Sequence, residues 1–165
     1  MLSFRLGRQF LEPRTAKSAV EVARRLCGVQ AQVASAAEFA VAARRRSPRA
    51  REVERALRNR SLVKTWAMRG TLHLLPAEDA GNFLSSLSLL APWRAPAWER
   101  YHGIRAADVE RVIEALGEVL TETPIGRTEL QTALAGHLRS KAARAKIASG
   151  WGELLKPAAW AGVLL

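Results

Sequence analysis

Between Leu62 and Leu75 the hydrophobic period of the chain changes. Before this point apolar residues recur about every 3.6 positions, as on helices. In "LVKTWAMRGTLHLL" Leu62, Lys64 and Trp66 alternate with their neighbours, the run breaks at Arg69-Gly70, and it resumes at Thr71, Leu72, His73 and Leu74. An alternating run interrupted by a glycine turn reads as a β-hairpin. Helical patterns precede and follow it, which restricts the fold to mainly α with one short hairpin.

Three helices are predicted ahead of the hairpin. "TAKSAVEVARRLCG" carries Ala19, Val22, Ala23 and Leu26 on one face, with Thr15 as its N-cap, Gly28 as its stop and Cys27 on the buried side. "SAAEFAVAARRR" is a second helix ending in Arg44, Arg45 and Arg46, where basic side chains complement the dipole. "SPRAREVERALRNR" is the third, with Ser47-Pro48 as its start and Val53, Ala56 and Leu57 as its buried stripe. Three helices and then a hairpin is the order of a winged helix, the hairpin being the wing.

The order partly repeats. "PAEDAGNFLSSLSLL" continues as a helix, and Pro92, Trp93, Pro96 and Trp98 mark a connector. Beyond it Val109, Val112, Ile113 and Leu116 share a helical face, Thr123-Pro124 breaks the pattern, and "GRTELQTALA" resembles the second helix of a helix-turn-helix, with Leu130 and Leu134 inward. "WGELLKPAAWAG" reads as another helix with Pro157 near its start or at a kink. The chain stops at Val163-Leu164-Leu165, where an apolar strand would begin. The predicted architecture is a tandem winged helix with an incomplete second repeat: residues 1–91 form the first domain, 92–104 a connector and 105–165 a truncated second domain. On this reading the chain is the front part of a longer protein.

Charge points to a polyanion. The net charge is +11; residues 1–60 hold 14 basic and 5 acidic side chains, against 12 and 10 in residues 61–165. A basic front third favours DNA or an anionic membrane surface. Arginine outnumbers lysine 21 to 5, which coding composition can explain, but coding composition does not explain the excess over Asp and Glu. No apolar run reaches the ~20 residues that cross a bilayer, and the charged "MLSFRLGRQFLEPR" is no secretory signal. A cytoplasmic, monomeric protein is expected. One cysteine and three dispersed histidines suggest neither a disulfide nor a metal site.

"GVQAQ", residues 28–32, places two glutamines two apart in this basic region. On a helix such residues point about 200° apart, whereas on an extended segment they share a face. They can converge on one substrate only if the chain is extended or irregular there, and Gly28 allows such a break. By spacing alone, the same amides could equally cap helix ends around Gly28.

Together, "GVQAQ" and "TWAMRGTLHLLPAED" resemble the tandem winged-helix family of AlkZ/YcaQ-type DNA glycosylases, enzymes that unhook interstrand crosslinks. The similarity runs from the first helix through the hairpin and more weakly to the end. Known members have three winged-helix units around DNA, of which one is missing here, and a catalytic Gln-x-Gln or Gln-x-Asp motif. Carried over, that motif falls on Gln30 and Gln32, with Ala31 between. The resemblance implies a monofunctional glycosylase acting on alkylated or crosslinked purines in double-stranded DNA, without metal or organic cofactor. Hydrolysis of the N-glycosidic bond passes through an oxocarbenium-like sugar. An N7-alkylated guanine is already cationic and leaves without strong acid catalysis. A glutamine carbonyl can accept a hydrogen bond from the attacking water and lie against the developing positive charge. Gln32 is expected to position the water, and Gln30 to orient it or meet the sugar.

DNA contacts are expected from Arg44, Arg45, Arg46, Arg49 and Arg51, and from Lys64, Arg69, Thr71 and His73 on the hairpin. Each basic residue also has a plain reading as a solvated surface charge, and His73 as a packed histidine. Trp66, Trp93 and Trp98 read as packing residues. Two other classes compete with the enzyme: a DNA-binding regulator without chemistry, which charge and topology predict equally well, and a scaffold, which explains the charge asymmetry least.

Overall fold

The computed structural model describes residues 1–149 and 152–164. Gly150, Trp151 and Leu165 lie outside the described residues, and with them the predicted start of the 151–162 helix and the last residue of the predicted strand. The chain is mainly helical with one three-stranded antiparallel sheet. It divides into two compact units, Met1–Phe83 and Leu84–Leu165.

In the first unit α1 (Leu2–Arg8), α2 (Ala19–Arg25), β1 (Val29–Gln30), α3 (Ala34–Ala42) and α4 (Glu52–Arg58) precede the hairpin of β2 (Leu62–Ala67) and β3 (Thr71–Pro76); α5 (Ala77–Leu90) follows. The hairpin forms where the period of 2 predicts it. Ala67 pairs with Thr71, leaving Met68, Arg69 and Gly70 as the loop. Gly70 takes φ +81 there, a value glycine adopts at little cost. The sheet has a strand more than the predicted hairpin, because the "GVQAQ" segment pairs with β3, giving the order β1-β3-β2.

The two faces of β3 are covered by different helices. Leu62, Leu74, Val29 and Ala31 cluster with Val22 and Ala23 of α2, Ala37 and Val41 of α3, and Val53 and Ala56 of α4. Leu75, one residue on, points the other way and packs with Ala67 and with Ala80 of α5. Double coverage makes two consecutive leucines stable in one strand, each contributing roughly 1.5–3 kcal/mol on burial.

Several predicted boundaries move, for local reasons. The charged N-terminal stretch is helical over α1. Ser18, not Thr15, caps α2, its hydroxyl accepting from the Glu21 amide at 3.3 Å. Thr15 instead bridges to the segment after α3, through Thr15 N–H to Arg44 O (2.8 Å) and Arg46 N–H to Thr15 O (2.7 Å). That bridge claims the backbone of Arg44–Arg46, so α3 stops at Ala42 and the arginines follow it rather than ending it. Helix α4 starts at Glu52, not at Ser47-Pro48, because Arg51 is left-handed (φ +55).

Helix α2 ends at Arg25. Cys27 N–H then donates to Arg24 O (3.0 Å) and Gly28 N–H to Ala23 O (2.8 Å), with Cys27 left-handed at φ +56. This is a Schellman closure. It turns Cys27 out to solvent, not onto the predicted buried face. Gly28 follows at φ +113, and a Cβ there would lie 2.9 Å from Leu75 Cδ2. Two constraints, backbone conformation and close approach, therefore require glycine where β1 leaves α2.

In the second unit the connector is itself helical: a 3₁₀ turn at Pro92–Arg94 and α6 (Pro96–His102). Helices α7 (Ala106–Val119), α8 (Arg127–His137), α9 (Lys141–Ser149) and α10 (Gly152–Trp160) follow, with α7 packed against the other three. The sequence predicts no helix at 141–149; its alanine- and lysine-rich run buries only Ala143 and Ile147, too sparse an apolar pattern to register. Pro157 lies inside α10 rather than near its start. Of the predicted inward residues Val109, Val112, Leu116, Leu130 and Leu134 are buried, whereas Ile113 is only half-buried. Trp93 is buried and stacks on Trp160, ring centroids 6.2 Å apart. The Trp98 ring lies against that of His102, centroids 4.1 Å apart and tilted by 40°.

Candidate active site and its basic cleft

Residues 29–32 alternate strictly in burial: Val29 and Ala31 are in the core, Gln30 and Gln32 are exposed. This is the period of an extended segment, and it presents both amides away from the helical core. Ala31 N–H donates to Leu72 O at 2.7 Å and Leu72 N–H donates to Gln32 Oε1 at 3.2 Å. The Gln32 carbonyl thus takes the place of a backbone acceptor at the end of the ladder. Among the described residues nothing bonds to the Gln30 amide, which leaves its oxygen and NH₂ both free. Opposite Gln30 in the register stands His73, and opposite His73 on the other side stands Thr65. His73 Nδ1 is 2.9 Å from Thr71 O; a carbonyl only accepts, so Nδ1 is the donor.

Gln30 lines an open cleft of about 670 Å³ together with Gln9, Arg8, Arg25 and Arg44, a size that suits a nucleotide-scale ligand. Two of these arginines are held in place by the protein. Arg25 Nε donates to the Arg8 carbonyl at 2.8 Å, and its guanidinium lies over the Phe10 ring, 5.4 Å from the centroid. Arg44 donates from Nη1 to Ala40 O at 2.7 Å and from Nη2 to Gln9 Oε1 at 3.5 Å. Partial burial pushes the Arg44 guanidinium below its ordinary pKa.

The other predicted contact residues do not gather in this cleft. Arg46, Arg49 and Arg51 are exposed along the segment between α3 and α4, Arg51 within 3.7 Å of Glu54. Lys64 is exposed on β2, Arg69 is exposed in the hairpin loop, and Thr71 and His73 are half-buried on β3. Arg45 stands apart from these. It is buried, donating to Ala16 O at 2.7 Å and paired with Glu52 at 3.2 Å, so its charge is taken up inside the fold. The described residues contain no group of three or more His, Cys, Asp or Glu able to hold a metal ion, and no helix long and apolar enough to cross a membrane.

A family model described as DNA glycosylase AlkZ-like matches residues 23–164, nearly the whole chain. The chain belongs to the AlkZ-like DNA glycosylase family. It is 45% identical over 164 residues to the interstrand DNA cross-link repair glycosylase of Streptomyces sahachiroi, a match covering 99% of this chain and 44% of that protein. The solved structure of the Streptomyces sahachiroi DNA glycosylase AlkZ superposes with a TM-score of 0.87 at 44% identity, over 98% of this chain and 43% of that one. The chain therefore spans under half the length of the relatives it matches.

Of the residues that line the cleft in this AlkZ-like chain, Gln30 and Arg44 are among those singled out from the sequence, whereas Arg8 and Arg25 are not. Their only signal is the basic excess that every cation of the first third shares. They reach the cleft because α1 folds and α2 closes at Arg25, and neither event is visible in a charge count.

Proposed function

We propose that the chain is part of a DNA glycosylase that hydrolyses the N-glycosidic bond of alkylated or interstrand-crosslinked purines in DNA repair. In this reading α2, β1, α3, α4 and the β2–β3 wing form a first winged helix, and the helices from α7 onward form a second, incomplete one. The observation that carries the proposal is the exposed Gln30 on β1, lining a cationic cleft, with the exposed Gln32 two residues on, in a chain 45% identical to a cross-link repair glycosylase.

Water is the nucleophile and double-stranded DNA the partner. Gln30, whose oxygen is free, accepts a hydrogen bond from the attacking water and lies against the positive charge that develops on the sugar. Gln32, held by the Leu72 amide, keeps its NH₂ for orienting substrate or water. This reverses the division of labour predicted from the sequence. What supports the reversal is the bond that already occupies Gln32 Oε1. Arg46, Arg49, Arg51, Lys64, Arg69 and Thr71 meet the DNA backbone at the periphery.

The bond to Leu72 also favours a second reading, a DNA-binding protein without chemistry in which the second glutamine serves only to end the sheet. One experiment separates them: the protein and its Gln30→Ala form are incubated with duplexes holding N7-alkylguanine or a matched crosslink. Release of the modified base by the unsubstituted protein alone supports the enzyme. Release by neither leaves the binder.

A further inference from the structure

Three cations share the cleft beside Gln30, and among the described residues no carboxylate lines it. Nor, among those residues, does any of Arg8, Arg25 or Arg44 form an ion pair. Some arginines of the unit are neutralised, Arg24 by Glu21, Glu78 and Asp79, Arg45 by Glu52 and Arg58 by Glu54. Others such as Arg46 and Arg49 stand unpaired among the described residues but exposed, and what sets the cleft apart is that it gathers three unpaired arginines around one concavity. Like charges brought together without counter-charge repel each other, and partial burial of Arg44 adds a desolvation cost. Two of the three are nevertheless fixed in advance: Arg25 by the Arg8 carbonyl and the Phe10 ring, Arg44 by Ala40 and Gln9. Arginines held rigid but unneutralised are suited to an oxyanion such as a phosphate, whose oxygens the planar guanidinium can meet two at a time, because little side-chain freedom is left to lose on binding. Arg44 Nε is also buried without a hydrogen-bond partner.

We propose that Arg8, Arg25 and Arg44 form a phosphodiester-binding site that grips the DNA backbone next to the nucleotide presented to Gln30. The proposal rests on the glycosylase reading for the identity of that nucleotide, but not for the anion chemistry. It gives the cleft two functions: the arginines fix the strand, and the neutral amide meets the sugar without adding charge of its own.

The test uses Arg8→Gln/Arg25→Gln, whose two positions are exposed, with a melting curve to establish that the variant folds. Affinity for undamaged duplex and for duplex with a stable abasic-site analogue is measured across a salt series. The double variant is expected to bind at least about tenfold more weakly, and the slope of log K against log salt to become shallower by about one for each phosphate that is no longer neutralised. Replacing single phosphates flanking the analogue by neutral methylphosphonate should, at one position, weaken the unsubstituted protein and leave the variant unaffected. Wild-type affinity and slope in the variant would overturn the proposal, as would equal losses at every phosphonate position, which mark a diffuse field. Stabilisation of the unsubstituted protein by millimolar inorganic phosphate, together with unchanged DNA binding in the variant, would reassign the site to a free anion. If no base is excised yet the variant loses binding as stated, the phosphate site stands and the glycosylase reading fails. If excision is normal in both proteins and binding is unchanged, the site alone fails.

Discussion

Gln30 faces His73 across the β1–β3 ladder as a non-hydrogen-bonded pair, since the bond from Ala31 N–H to Leu72 O makes the next pair the bonded one. Side chains of such pairs are the closer kind in an antiparallel sheet. The free Gln30 amide thus stands beside an imidazole whose Nδ1 is occupied by Thr71 O. Gln32, two residues on, is tied to the Leu72 amide. The two glutamines are alike in exposure and different in what holds them.

That difference predicts different mutant behaviour. Gln30→Ala should leave the melting temperature unchanged and reduce single-turnover base excision by about 10²–10³-fold, the usual effect of removing one preorganised electrostatic group. Gln32→Ala should in addition lower stability by about 1 kcal/mol in urea denaturation, because Leu72 N–H loses its acceptor. Equal stability losses in both variants would contradict the assignment.

Gly28→Ala should be costly although the change is one methyl group. The new Cβ meets Leu75 Cδ2 at 2.9 Å and the backbone stays at φ +113. A loss of about 1–3 kcal/mol is expected from overpacking and strain together, read as a lower denaturation midpoint at unchanged slope.

Cys27→Gly should do the opposite. Cys27 is left-handed in the Schellman closure of α2 and its thiol is exposed, so glycine relieves a backbone penalty and removes nothing from the core. A gain of up to about 1 kcal/mol is expected, visible as a higher melting temperature. An unchanged or lower melting temperature would show that the thiol contributes more than its exposure indicates.

Arg45 and Arg46 are neighbours with opposite roles. Arg45→Ala strands Glu52, whose Oε1 also accepts from Ala19 N–H at 3.2 Å at the start of α2, and breaking a buried pair from one side costs about 3–5 kcal/mol. Arg46 is exposed, so Arg46→Ala should stay within about 0.5 kcal/mol. Denaturation of the two variants side by side checks this, and a salt series on DNA binding should reveal an effect of Arg46 only.

The sequence by itself determined the elements whose signal is local. The switch from a 3.6 to a 2 period located the hairpin, and the inward positions on α7 and α8 could be read from spacing, because an amphipathic face is written into one contiguous stretch. It also determined that Gln30 and Gln32 could act together only on extended backbone. Tertiary structure decided the rest. Whether Val29 and Gln30 became a strand depended on β3 offering an unpaired edge, a partner more than 40 positions away in the chain. The fate of Arg44, Arg45 and Arg46 was settled by Thr15, whose bridge ended α3 early and sent one guanidinium to the cleft, one to the core and one to solvent. A long-range hydrogen bond or a close approach such as Gly28 to Leu75 leaves no periodic trace, since its two halves are set by different segments and acquire meaning only when folding brings them together.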